Sequence, residues 1–244
     1  MMVPTPDRQK SAAELPAKIA AIRARIEAAA RRVGRRSEEV TLMAVTKTQP
    51  SETILAAYAA GLRCFGENRV QEFAAKQERL SKLDGATFAL IGRLQSNKVN
   101  KAIELFSAIH SVDSLRLAER INAAVERAGR EPMSLAIEIN TGDPAKAGLS
   151  PDSPELEQLL AAAPRLTHLR IQGFMTIPPF TDDPEGARLY FRRLRELRDG
   201  IAARRLPGTE TGLLSMGMSH DFEVAIEEGS TCVRVGTAIF GERR

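Results

Sequence analysis

The sequence predicts an α/β protein, a single TIM barrel of eight parallel strands with a helix between each strand and the next. Three observations point there. Short apolar runs rich in Val, Ile, Leu and Phe alternate with helix-period segments along all 244 residues. Eight such runs can be counted, and continuously apolar strands mark a parallel sheet covered by helices. No Gly-x-Gly-x-x-Gly follows the first run, which disfavours an open dinucleotide-binding sheet.

The elements follow in order. A helix spans 12–33, with Ile19, Ile22, Ile26 and Val33 on one face and Gly34 as its stop. The first strand is VTLMAVTK, 40–47. Ser51 is placed to cap the next helix, which turns Ile54, Leu55 and Tyr58 inward and stops at Gly61. Further strands are read at 63–68, 87–92, 108–113, 135–140, 169–177, 213–218 and 231–240. Helices near 70–80, 99–106, 115–128, 155–162, 187–203 and 222–228 lie between them. Each is amphipathic; Tyr190, Phe191, Leu194, Leu197 and Ile201 share one stripe. One domain, 1–244, is expected, with 1–11 as a flexible lead and 142–154 and 178–185 as the least structured loops.

Composition narrows the setting. A chain this long buries a sizeable core and needs no disulfide or metal staple. Its two cysteines, Cys64 and Cys232, read as small buried thiols in a reducing compartment. The first ten residues lack an apolar signal region, and no run approaches the length of a membrane span. A cytoplasmic protein is expected. The net charge of +4 and pI near 9.3 come mostly from helical arginines, including Arg31, Arg32, Arg35, Arg36, Arg192, Arg193, Arg195 and Arg198. With no Trp and 5% aromatic residues, stacking platforms for nucleic acid are scarce, so these read as a solvated basic face.

In such a barrel the chemistry sits at the C-terminal ends of the strands. Strand one ends in Lys47 and strand two in Gly66-Glu67-Asn68. Strand four ends in His110-Ser111-Val112-Asp113 and strand five in Asn140. Barrels often hold a phosphate between the loops after strands seven and eight. Here those loops carry Gly217 with Ser219, and Gly236 with Thr237, and Ser219 stands where it can cap the helix starting near Asp221. Either loop alone fits a helix cap or a tight turn equally well; both together, at the two expected strands, favour a phosphate. Lys47 closes an apolar run, and a partly desolvated lysine near a cation such as Arg234 gives up the proton that blocks its attack on a carbonyl. On spacing alone, a plain surface lysine at a loop start is the better reading. His110, His168 and His220 are too scattered for a metal site, and no metal is expected.

These residues carry a resemblance. Lys47, Gly66-Glu67-Asn68-Arg69-Val70-Gln71-Glu72, Ile91-Gly92-Arg93-Leu94-Gln95-Ser96-Asn97-Lys98 and His110-Ser111-Val112-Asp113 are similar to the pyridoxal-phosphate homeostasis protein family. So are 214–221 (LSMGMSHD) and 234–241 (RVGTAIFG). The motifs run in order through almost the whole chain. The resemblance implies the barrel of the alanine racemase cofactor domain, with pyridoxal 5′-phosphate (PLP) as cofactor. It implies Lys47 as the Schiff-base (internal aldimine) lysine and Asn68 as a further cofactor contact. It also implies Ser219, Gly236 and Thr237 at the phosphate, and Arg234 facing the pyridine nitrogen. Two departures stand out. Phe88-Ala89-Leu90 replaces the family's usual aromatic-His-aromatic run, and the loop ending in Lys146-Ala147-Gly148 is shorter than usual.

The implied function is reversible holding of PLP in vitamin B6 homeostasis and its delivery to apo-enzymes, by a monomer that binds neither nucleic acid nor membrane. No catalytic residue is expected. Arginine at the ring nitrogen is only a donor and makes a shallow electron sink. Barrel racemases also use an arginine, so the stronger argument is a missing second acid/base. That group is typically a tyrosine from a further domain. Here the chain stops soon after strand eight, and Tyr58 and Tyr190 fall on apolar helix stripes that read as core. Two alternatives stay open: a PLP-dependent amino-acid racemase or related enzyme, and a barrel whose Lys47 forms an imine with a phosphorylated sugar.

Overall fold

The computed structural model describes residues 6–142 and 146–242. Of the expected flexible lead, residues 1–5 lie outside that range, and helix α1 already begins at Pro6 and runs to Arg32. The strands are β1 (Thr41–Val45), β2 (Cys64–Glu67), β3 (Thr87–Leu90), β4 (Ala108–Val112), β5 (Met133–Glu138), β6 (Leu169–Met175), β7 (Thr209–Met218) and β8 (Cys232–Val235). The helices between and after them are α2 (Ser51–Ala59), α3 (Val70–Leu80), α4 (Val99–Leu105), α5 (Leu115–Arg127), α6 (Pro154–Ala162), α7 (Arg188–Arg204), α8 (Phe222–Glu227) and α9 (Thr237–Phe240). All strand pairings are parallel, and the sheet closes in sequence order, β8 pairing β1 through Thr41↔Cys232 to Ala44↔Val235. This is the expected (β/α)8 TIM barrel.

Alternation along each strand separates two apolar layers. Ala44, Phe65, Leu90, Ile109, Leu135, Phe174, Leu214 and Val233 join the helices in the large outer core. Met43, Ala89, Ile91 and Cys232 form a separate small cluster that plugs the barrel, with Val45, Cys64, Ala108 and Leu213 against it. Burial raises the Cys232 thiol to about 12, so it stays a packed, unreactive group. The outer layer includes a run of rings joining β2, β3 and two helices: Phe65 to Phe88 at 5.1 Å, Phe88 to Phe73 at 4.7 Å and Phe73 to Phe106 at 4.9 Å.

The boundaries differ from expectation where tertiary contacts override local preference. Strand eight stops at Val235 rather than 240, because the Gly236 carbonyl accepts from the amides of Ile239 and Phe240 and starts a helical turn. Strand seven starts at Thr209, since its polar first residues still pair with β6 at Ile171. Ser51 is the first residue of α2 and Pro50 holds the cap position. Val33 lies past the end of α1 and is exposed, not on the inward face. The arginines are largely committed: Arg31 to Glu27, Arg32 to Glu227, Arg35 and Arg36 to Glu39, Arg192 and Arg195 to Glu228, and Arg198 to Asp199. That pairing cancels much of the basic face.

Phe73 is 1% exposed at the centre of the aromatic run. Phe73→Ala leaves a cavity the rings cannot fill, and urea unfolding is expected to show a loss of about 3–5 kcal/mol.

Candidate functional site

All six residues singled out from the sequence stand at the C-terminal ends of β7, β8, β1 and β2, four consecutive strands of the closed barrel. Met43 and Val45 point into the barrel, and Lys47, two residues past the end of β1, is half-buried at the rim. Asn68 follows β2, which pairs with β1 up to Val45↔Gly66, so Lys47 and Asn68 end neighbouring strands. Gly92 makes room there: a Cβ on it would stand 2.3 Å from the Asn68 carbonyl oxygen.

Across the β8–β1 seam, Ser219 follows β7 and reaches over to the next loop. Its Oγ accepts from the amides of Gly236 (3.2 Å) and Ala238 (3.3 Å). Ser219 therefore does not cap α8. Asp221 occupies that cap position, and its Oδ1 accepts from the Met218 amide at 2.6 Å. Gly217 is required for this arrangement: its φ is +93°, and a Cβ would stand 2.5 Å from that of Ala225. Thr237 opens α9 and is exposed.

A polar layer lies below the rim. Arg234 is 3% exposed, and its guanidinium donates to the Ser215 carbonyl, to Ser215 Oγ at 2.9 Å and to the Thr176 carbonyl at 2.8 Å. His110 Nδ1 is 3.3 Å from Ser215 Oγ. Burial, helped by the Arg234 charge, pushes the imidazole down to about 4, so His110 is neutral near pH 7. Glu138, on the inward parity of β5, was not singled out from the sequence. Burial, reinforced by Asp113 and opposed by Arg234 and Arg93, pushes its carboxyl up to about 7. Its signal was legible: an acidic residue inside the apolar run Leu135 to Ile139.

Tyr58 packs against the outer core as expected, half-buried, and donates to the Asp84 carbonyl at 2.8 Å. Tyr190 is half-buried beside Gly142, where a Cβ would come within 3.1 Å of its ring. Among the described residues no cluster of three His, Cys, Asp or Glu could hold a metal.

A barrel with its polar residues gathered on these strand ends fits the alanine racemase N-terminal domain class, and the model of that domain matches residues 18–244. Proteins named pyridoxal phosphate homeostasis protein are 44% identical over 90% of this chain and 94% of theirs (Aquifex aeolicus), and 42% over 92% and 95% (Escherichia coli K12). The chain belongs to that family. PipY of Synechococcus elongatus, solved with PLP bound, superposes with a TM-score of 0.81 at 36% identity, covering 93% of this chain and all of PipY. Alanine racemase of Clostridium difficile shares the fold at 14% identity and a TM-score of 0.67, over 84% of this chain and 53% of the racemase.

Because the Glu138 carboxyl is raised from 4.5 to about 7, the folded chain keeps a proton the unfolded chain releases. Its stabilising contribution is full below about pH 4.5 and is lost as pH rises through about 7. Glu138→Gln is expected to gain up to about 3 kcal/mol over the parent at pH 8 and little at pH 4.5, read by urea unfolding at both. An equal difference at the two pH values would show that Glu138 is ordinarily ionised.

Proposed function

We propose that this chain binds PLP at the barrel mouth, with Lys47 bonded to the cofactor's aldehyde carbon, and holds it for delivery to apo-enzymes in intracellular PLP homeostasis. One observation carries the reading. The Ser219 hydroxyl accepts from the Gly236 and Ala238 amides and so draws the loops after β7 and β8 together, in the same sector as the lysine that follows β1. Such a cluster of donors suits a phosphate, and the lysine suits an aldehyde. The family membership and the PLP-bound relative PipY support the same reading.

When bound, PLP supplies an electrophilic carbonyl and an electron sink. The chain's own residues then divide the work. Ser219, Gly236 and Thr237 take the phosphate, and Asn68 flanks Lys47. Arg234 faces the ring nitrogen as a donor that cannot lend a proton, which keeps the sink shallow. His110, neutral in this layer, adds no positive charge. Little drive remains for turnover, as befits a carrier. No helix among the described residues is long and apolar enough to cross a membrane. The reading places the chain in the cytoplasm as a monomer.

A second reading, slow amino-acid chemistry, is favoured by Glu138, a carboxyl positioned to exchange a proton near pH 7. Incubating the PLP-loaded protein with amino acids in heavy water separates the two. Negligible α-proton exchange is expected, and efficient exchange of one amino acid would overturn the carrier reading.

Added PLP should give a visible band, and borohydride reduction should leave one stoichiometric adduct at Lys47 by mass spectrometry. Adducts scattered over many lysines would refute the assignment. Lys47→Ala should lose the band but keep weaker binding through the phosphate loops. Ser219→Ala should cost about 1.5–3 kcal/mol of PLP affinity, measured by equilibrium titration.

A further inference from the structure

One buried charge pair has no part in the cofactor contacts. On the inward face of α3, in line with Val70, Phe73 and Leu80, sits Lys76, 9% exposed. Its ammonium donates to Glu67 Oε1 at 2.7 Å and to the carbonyls of Thr46 and Gln49, each at 3.1 Å. All three ammonium protons are thereby committed. Glu67, fully buried at the end of β2, also accepts from Thr46 Oγ1 at 2.8 Å. Thr46 and Gln49 are the two ends of the turn that carries Lys47, closed by a bond from the Gln49 amide to the Thr46 carbonyl at 3.0 Å.

That turn needs holding. Thr48, the residue after Lys47, is not glycine yet has φ +65°, a left-handed conformation that its side chain disfavours. The pair is also not arranged for stability alone. A buried ion pair gains little over apolar residues of the same size, and Glu67 Oε2 is left buried without a partner among the described residues. An apolar residue at position 76 would continue the stripe of α3. The ammonium instead reaches the main chain on both sides of the lysine.

We infer that Lys76 and Glu67 are positioning residues: together they clamp the Thr46–Gln49 turn and aim the Lys47 amine at the aldehyde. This rests on the Lys47 reading above. The clamp acts on the lysine and not on the phosphate loops, which belong to β7 and β8 on the far side of β1. Its loss should therefore weaken capture of the aldehyde and spare binding of the rest of the cofactor.

The test compares the full chain with the double variant Lys76→Met/Glu67→Met, which removes both charges so that neither stays buried alone. Two ligands are titrated: PLP, by its visible band, and pyridoxine 5′-phosphate, which has no aldehyde, by calorimetry. PLP affinity should fall about 10-fold or more, as expected for a misplaced reacting group, and the pH midpoint of band formation should shift. Pyridoxine 5′-phosphate affinity should stay within about 2-fold. Equal losses for both ligands, or no loss for either, would overturn the inference. If the double variant does not fold, Thr46→Val cuts only the hydroxyl link to Glu67 and should show the same split, smaller in size; its absence counts against the clamp. A parent chain that forms no adduct at Lys47 is recognised before any variant is made, and it fails the underlying reading as well.

Discussion

Closure of β8 onto β1 is the constraint on which the rest depends. In a closed parallel sheet every strand residue faces either the lumen or the helices, and every strand ends at one rim. In an open sheet of the same strand order, β1 and β8 would lie at opposite edges. Closure makes β7, β8, β1 and β2 neighbours, so the Ser219–Gly236 loops and Lys47 share one sector although about 170 residues separate them in sequence. The apolar plug of Met43, Ala89, Ile91 and Cys232 fills the lumen beneath and leaves the polar groups to the upper layer.

Charge is handled differently inside and outside that wall. On the outer face Glu228, almost fully buried, is surrounded by Arg188, Arg192 and Arg195, which hold its pKa below the ordinary value despite burial. In the lumen Arg234 gives hydrogen bonds to Ser215 and the Thr176 carbonyl, His110 is neutral, and Glu138 titrates near 7. The buried Arg234 charge is favoured by the nearby carboxyls of Asp221 and Glu138.

Much of this was legible residue by residue. The strands and the polar residues that end them are readable from composition and chain order, because a parallel strand is a local apolar signal. The misreadings share one cause. Ser219 reads as a cap for the helix beside it, yet its hydroxyl turns to the amides of another loop, a choice made by packing across β7 and β8. Tyr190 lies on an apolar stripe but packs under Gly142, because the loop after β5 folds over that helix. Strand eight looks β-rich to Phe240 and turns helical at Gly236.

By itself, then, the sequence determined the alternation of strand and helix, the residues ending each strand, and the family those residues point to. Periodicity and chain order are local properties, and they survive without knowledge of any contact. Only the tertiary structure decided the protonation of Glu138 and His110, the pairing of the arginines and the clamp behind Lys47. Each of these depends on desolvation and on partners brought together by barrel closure, and Lys76 meets Thr46 only because α3 folds back over the end of β1.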